Sequence, residues 1–302
     1  MSKRILRDWA MLRRFLLALC RSDHLDKVTS QRLTDVRPGE VRGALILDPH
    51  GAPLAMFWIV VHAERLALLA PPAAARHLLD VTAKRTFLAD VQFAPVDTPV
   101  HALYGPDVDR VLRGAGVAGL TVGSWRPVVD GLVVRHAFGV QLIGADLAET
   151  FGARDDVTVS DTAGLAAARV VAGEPVFGRE VVAPHLPEEA GVLPTHVHLD
   201  KGCYPGQEAV ARMWVLGRPR RRLVRARVLT GTVAPGWTSG EGRDRVEVTA
   251  VSGDAVLAHA PSSTAVGDVL GDTERLEVVA LVGAQDPPGT NPAVTRRRDK
   301  TA

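Results

Sequence analysis

The stretch HLDKGCYPGQEAVAR, residues 198 to 212, holds one of only two cysteines in a chain of 302 residues. Cys203 stands there between Lys201, Gly202, Gly206 and Glu208. A thiol becomes reactive where a cation, a helix N-terminus or backbone N–H groups stabilise its thiolate. This loop offers all three: Lys201 is two residues away, Gly202 and Gly206 permit a tightly turned backbone, and Gln207 opens a run that reads as a helix with Cys203 near its positive end. The competing reading makes Cys203 a small packed residue in a turn that the glycines merely shape.

Two neighbouring runs invite other chemistry. In THVHLDKGC, a strand would bring His196, His198 and Asp200 to one face shortly before Cys203, a pattern compatible with a metal site and equally with solvated histidines. In GRPRRRLVRAR, residues 217 to 227, six arginines could hold a phosphate backbone, or could form a solvated strand edge that resists edge-to-edge pairing.

Working outward, residues 174 to 200 contain four prolines and read as a long irregular segment, of the kind that often carries function in compact chains. Before it, DTAGLAAARVVAG predicts a helix from near Thr162 that stops at Gly173, and residues 91 to 145 read as short strands with loops. VRGALILDPHGAPLAMFWIVVHAERLALLAPP predicts three strands joined by turns at Asp48–Gly51 and His62–Arg65. PPAAARHLLDVTAKRTF then predicts a helix with prolines at its start. The N-terminal LRDWAMLRRFLLALC reads as an amphipathic helix with Cys20 on its apolar stretch. Its apolar run, about six residues, is too short for an export signal. Past Arg218, β-rich runs separated by glycines predict a small antiparallel barrel or sandwich.

Composition narrows the class. Hydrophobic residues at 46% fit a globular protein, and a formal charge of +2 gives no global field toward nucleic acid or membrane. No apolar segment reaches the ~20 residues that span a bilayer. Two cysteines make neither a disulfide framework nor a four-cysteine metal site, so a reducing cytoplasm is the expected location.

KGCYPGQE, unbroken from Lys201 to Glu208, resembles the signature of the YgfZ-type folate-binding proteins, relatives of the aminomethyltransferase T-protein of the glycine cleavage system. ARVVAGEPVFGRE and LPEEAG resemble the stretch before that signature. DHLDKVTSQRLTDVRPGE, with Asp23 and Asp35 twelve residues apart, resembles the family's N-terminal segment. The resemblance implies an α+β, T-protein-like ring of domains around a folate pocket, closed by a C-terminal antiparallel β-barrel. Residues 1–90 would be the N-terminal α+β folate-binding part, 91–217 a second α+β domain carrying the signature loop, 218–285 the barrel, and 286–302 a disordered tail.

The same resemblance implies tetrahydrofolate or another reduced folate as cofactor, in a pocket between the first two domains. Asp23, Gly202, Tyr204, Gly206, Gln207, Glu208 and Arg212 would bind it, with Cys203 as the functional thiol and Lys201 as its cationic neighbour. The implied role is that of an accessory protein for assembly or maintenance of iron–sulfur clusters, with tRNA modification affected indirectly. Its implied partners are iron–sulfur proteins or the cluster-assembly machinery, without a membrane and without direct nucleic-acid binding. The alternative is a folate-dependent aminomethyl transferase. That chemistry needs a proton-handling carboxylate, and Leu54, Ala55 and Met56 stand where the transferases keep aspartates.

Overall fold

After β1 (Arg4–Leu6), residues 14–19 of the stretch read as a helix instead form a strand, β2 (Arg14–Leu19). Tertiary pairing overrides its helical spacing: β2 is hydrogen-bonded along both edges in the middle of a sheet, and context of that kind decides short apolar runs. The computed structural model describes residues 4–6, 14–19, 22–85, 92–96, 98–216 and 219–283, so Cys20 and the tail from 286 lie outside the described residues. After α1 (Ser22–Val28) come β3 (Val41–Leu47), β4 (Pro53–Val61), β5 (Leu66–Ala70), α2 (Pro72–Arg85) and β6 (Gln92–Val96). The first sheet runs β3-β4-β5-β2-β6, antiparallel throughout.

Both expected turns form. Asp48 closes the first, its Oδ1 accepting from His50 and Ala52 N–H at 2.8 Å each, while Gly51 takes φ +85°. Strands β3 to β5 are buried almost end to end because each face of the sheet is covered. Phe57, Ile59 and Leu68 pack with Leu25, Val28 and Leu78 of the two helices, and Trp58, Val60 and Leu69 pack against a second sheet. A strand covered on both sides reads as a continuous apolar run, as PLAMFWIVV does.

The second sheet is built from β7 (Val100–Tyr104), β8 (Ser124–Val128), β9 (Gly131–His136), β10 (Gly139–Ile143) and β11 (Thr158–Ser160), with β1 joining from the N-terminus. Its order is β11-β1-β7-β10-β9-β8, and β1 pairs in parallel with β11. Helices α3 (Val108–Gly114) and α4 (Leu147–Gly152) cover its outer face through Val111, Leu112, Leu147 and Phe151. The turn residues around YGPD and RGAG hid α3, a helix only seven residues long. Helix α5 (Thr162–Ala172) ends where expected: Asp161 caps its start by accepting from Gly164 N–H at 2.9 Å, and Gly173 takes the left-handed conformation at its end.

After α6 (Leu193–His196) and α7 (Gln207–Leu216), the chain forms β12 (Arg221–Thr230), β13 (Thr238–Ser239), β14 (Val246–Ser252), β15 (Ala255–Pro261), β16 (Val269–Leu270) and β17 (Arg275–Leu281). They form one antiparallel sheet, β13-β14-β15-β12-β17-β16. Among the described residues no ladder joins β13 to β16, so the expected closed barrel is a half-barrel sheet here, its concave side filled by Val224, Val248, Val256, Ala258 and Leu276. Its other face meets α5 through Leu223, Leu257 and Val170. No helix among the described residues is long and apolar enough to cross a membrane.

Candidate functional site

The signature loop lies between α6 and α7, sewn to the segment that follows α1. Ser30 does much of the sewing: its Oγ donates to His196 O at 2.6 Å and accepts from Leu45 N–H at 2.9 Å, and its carbonyl accepts from His198 N–H at 2.9 Å. Lys201 is buried with its ammonium in a cage of backbone carbonyls, donating to Asp26 O, to Thr29 O at 2.8 Å and to Gln31 O at 3.1 Å. The Asp26 carboxylate stands 3.7 Å away and the Tyr204 ring lies beneath at 5.2 Å. Burial lowers the Lys201 pKa, and Asp26 opposes that shift. An ammonium has three donors, and all three are used here, so none is left over for a thiolate at Cys203. The loop's lysine thus clamps it to the first domain.

Tyr204 is buried beside Leu47, Met56 and Val210, where burial pushes its hydroxyl up to about 12. Gly206 has φ +80°, and a Cβ there would meet Asp48 O at 2.4 Å and Gly51 Cα at 3.0 Å. Only glycine lets α7 start this close to the β3–β4 turn. Gln207 reaches back to Lys201 O at 3.4 Å. Gly202 and Cys203 alone among the first four signature residues are exposed, so the thiol faces solvent just ahead of α7.

The other expected site residues do not converge on this loop. Glu208 and Arg212 pair with each other at 2.5 Å on the outer face of α7, their side chains 84% and 70% exposed. Asp23 falls within α1, but its side chain is outside the described part. The strand expected to align His196, His198 and Asp200 is a short helix followed by loop, because Pro194 and the bonds to Ser30 turn the chain there. His196 is wholly buried against Trp58, ring centroids 4.5 Å apart, whereas Asp200 is exposed. Among the described residues no cluster of three or more His, Cys, Asp or Glu is placed to hold a metal ion.

The arginine run is likewise dispersed. Arg222 donates to Thr264 O at 3.1 Å, Arg225 to Val171 O at 2.6 Å, Arg221 to Gly242 O at 3.1 Å, and Arg227 pairs with Glu277 at 2.6 Å. Near this strand, burial pushes Glu188 up to about 7 against the pull of Arg222, and His185 stacks on the buried His259 at 4.1 Å.

A cavity of about 700 Å³ opens instead where the second sheet, α5 and the β14–β15 turn meet. Its walls are mostly apolar, including Leu103, Phe138 and Val171, with Tyr104, Arg135, His136, Ser252 and Asp254 as the polar groups. Arg135 is held by Asp109 and by Leu120 O, and His136 stacks on Trp58 at 4.7 Å. None of the signature residues lines it, and it lies between elements of the second and third sheets rather than between the first two domains. Sequence reasoning missed these residues because they sit at strand ends, in YGP and RHAFG, whose spacing carries no motif.

No protein-family model matches the chain, and no curated protein matches it in sequence. Among solved structures, the crystal structure of glycine cleavage system aminomethyltransferase T from Bartonella henselae is similar, with a TM-score of 0.77 at 18% sequence identity over 92% of this chain and 85% of that one. The chain therefore has the fold of a glycine cleavage T-protein aminomethyltransferase.

Proposed function

We propose that this protein binds a reduced folate, tetrahydrofolate, and serves the assembly or maintenance of iron–sulfur clusters through the thiol of Cys203, with iron–sulfur proteins or the assembly machinery as partners. The observation that carries the reading is the exposure of Cys203 in a loop that is otherwise clamped by Lys201, Tyr204 and Gly206. A merely packed cysteine would be buried with its neighbours; this one is exposed to solvent, where a partner could reach it.

Folate needs an apolar cleft with a few directed polar groups, and ligand cavities commonly measure about 300–1,000 Å³. The 700 Å³ cavity meets both requirements, with Tyr104 and Phe138 as aromatic surfaces and Arg135, His136 and Asp254 as polar groups. When bound there, tetrahydrofolate would supply a one-carbon carrier nitrogen, while the chain's residues bind and orient it. Titration calorimetry should detect tetrahydrofolate binding that is lost in Val171→Trp, a change at a part-exposed wall position that the fold should accept. Cys203→Ser should bind folate normally yet fail to restore iron–sulfur enzyme activity in cells lacking the protein. Absence of heat with any reduced folate would refute the folate assignment, and full rescue by Cys203→Ser would refute the role of the thiol.

The T-protein fold itself favours a second reading, aminomethyl transfer. Against it stand Leu54, Ala55 and Met56 on β4, the last two buried among apolar side chains with no carboxylate between them. General acid–base groups contribute about 10²–10⁴-fold. The purified protein, given an aminomethyl-loaded lipoyl carrier and tetrahydrofolate, is accordingly expected to form methylene-tetrahydrofolate no faster than a buffer control. Turnover at a rate typical of enzymes would reverse the ranking.

A further inference from the structure

The segment between α5 and α6 carries two consecutive glutamates with opposite fates. Glu189 is fully occupied: its Oε2 accepts from Leu186 N–H at 3.2 Å and stands 3.9 Å from His185 Nδ1, and its Oε1 accepts from Arg220 N–H at 2.9 Å. Glu188 is not, for its Oε2 is buried with no hydrogen-bond partner among the described residues. It lines a narrow gap with Leu186, Pro187, Leu193 of α6 and Val210, Met213 and Trp214 of α7, too tight to admit a water molecule. The charge that acts on Glu188 is Arg222, near the start of β12 and 9% exposed. One arm of that guanidinium donates to Thr264 O at 3.1 Å, while its Nε is buried without a partner among the described residues. Each member of this oppositely charged pair therefore keeps a buried atom with an unmet bond. The backbone beside Glu188 is fixed, since Ala190 N–H donates to Leu186 O at 3.1 Å, Gly191 N–H to Glu188 O at 3.0 Å and Val192 N–H to Pro187 O at 2.9 Å. Only the side chain is left to move.

We infer that Glu188 is a proton-operated switch with two contacts: as the neutral acid it packs beside α7 at this gap, and as the carboxylate it turns to pair with Arg222 of the third sheet. A carboxylate beside an apolar gap closed to water receives nothing in exchange for its lost hydration. The guanidinium of Arg222 offers it a charge-assisted bond through the unmet Nε–H. Burial brings the changeover to about pH 7, and Arg222 keeps it from rising further. Helices α6 and α7 present no titratable side chain to the gap. The titratable neighbours within the segment are engaged elsewhere, His185 in its stack on His259 and Glu189 at Arg220 N–H. Helix α7 starts at the signature loop and β12 opens the third sheet, so the proton decides which of the two the segment holds. The switch operates whatever ligand the large cavity takes.

The test follows the full chain across neutral pH by tryptophan fluorescence, with Trp214→Phe identifying the part of the signal that comes from the gap, and by the NMR resonance of the Arg222 Nε–H. Wild type should show a step in Trp214 emission with its midpoint at about pH 7, and the Nε–H resonance should move with the same midpoint as the pair closes. Glu188→Gln, a fixed stand-in for the neutral acid, should hold the low-pH emission and the low-pH resonance throughout. Arg222→Met removes the charge that favours the carboxylate, and should raise the emission midpoint by about one pH unit. If that variant does not fold, Arg222→Gln, which drops the charge yet can still donate to Thr264 O, carries the same expectation. Flat wild-type emission, or a step that survives in Glu188→Gln, would overturn the switch. An Nε–H resonance indifferent to pH, or a midpoint unmoved in the arginine variant that folds, would overturn Arg222 as the second contact and the switch with it.

Discussion

Lys201→Met is expected to destabilise the protein by about 3–5 kcal/mol, the usual cost of removing one partner from a buried charged cluster. Methionine fills a similar volume but donates nothing, so the carbonyls of Asp26, Thr29 and Gln31 lose their shared donor and the Asp26 carboxylate loses its counter-charge. Asp26 Oδ1 also accepts from Leu33 N–H at 2.5 Å, which ties the loss to the core around α1. Urea unfolding should show a lower midpoint with an unchanged slope. Lys201→Arg would not rescue it, because a planar fork does not match three converging carbonyls around a compact ammonium. A midpoint within the error of wild type would mean that water replaces the ammonium and that the clamp is dispensable.

Acid should lower the stability of the protein at two successive slopes. Burial holds His196 and His259 neutral, with pKa values near 3 against an ordinary 6.5; neighbouring His136 and His185 respectively add to the effect. Below pH 6.5 the unfolded chain takes up two protons that the folded chain refuses, so stability falls as pH falls, down to about pH 3. Glu188 acts in the opposite sense. Its pKa, raised by burial to about 7 from 4.5, lets the folded chain bind a proton in a window where the unfolded chain does not. Between about pH 6.5 and 4.5 these groups therefore leave a net difference of one proton, or about 1.4 kcal/mol per pH unit. Below pH 4.5 the offset ends and the slope doubles. Denaturant titrations at half-unit intervals of pH would resolve the break, and His259→Leu should remove about one proton from the slope in both windows. A stability flat from pH 6.5 to 4.5 in wild type would show that the buried rings find proton acceptors on acidification.

The signature loop and the clamp are legible in the sequence to different degrees. KGCYPGQE marks the loop because its residue types are constrained locally: Gly206 takes a positive φ, and Gln207 starts a helix. Those are properties of a few consecutive residues, so a string of eight letters carries them. The same holds for the Asp48–Gly51 turn and for α5 between Asp161 and Gly173, where the capping residues and the apolar spacing agree with each other.

Where the lysine points was not local. Lys201 and Cys203 are two residues apart and looked like a cation beside a thiol, yet the ammonium is drawn across to carbonyls more than 170 positions earlier in the chain, because α1 ends there with unpaired C=O groups and a carboxylate. Strand β2 departs from its helical reading for a related reason: its six residues have no decisive period of their own, and the two neighbouring strands supply the hydrogen bonds that fix it. The cavity is the extreme case. Tyr104, Phe138, Val171 and Asp254, which line it, come from separate elements of the chain, and nothing within reach of any one of them in sequence requires the others. Sequence alone determined the turns, the caps and the signature loop, whose physics acts over a few residues. The direction of Lys201, the half-barrel and the site around Tyr104 were decided by tertiary structure, because burial and pairing depend on which distant surfaces meet.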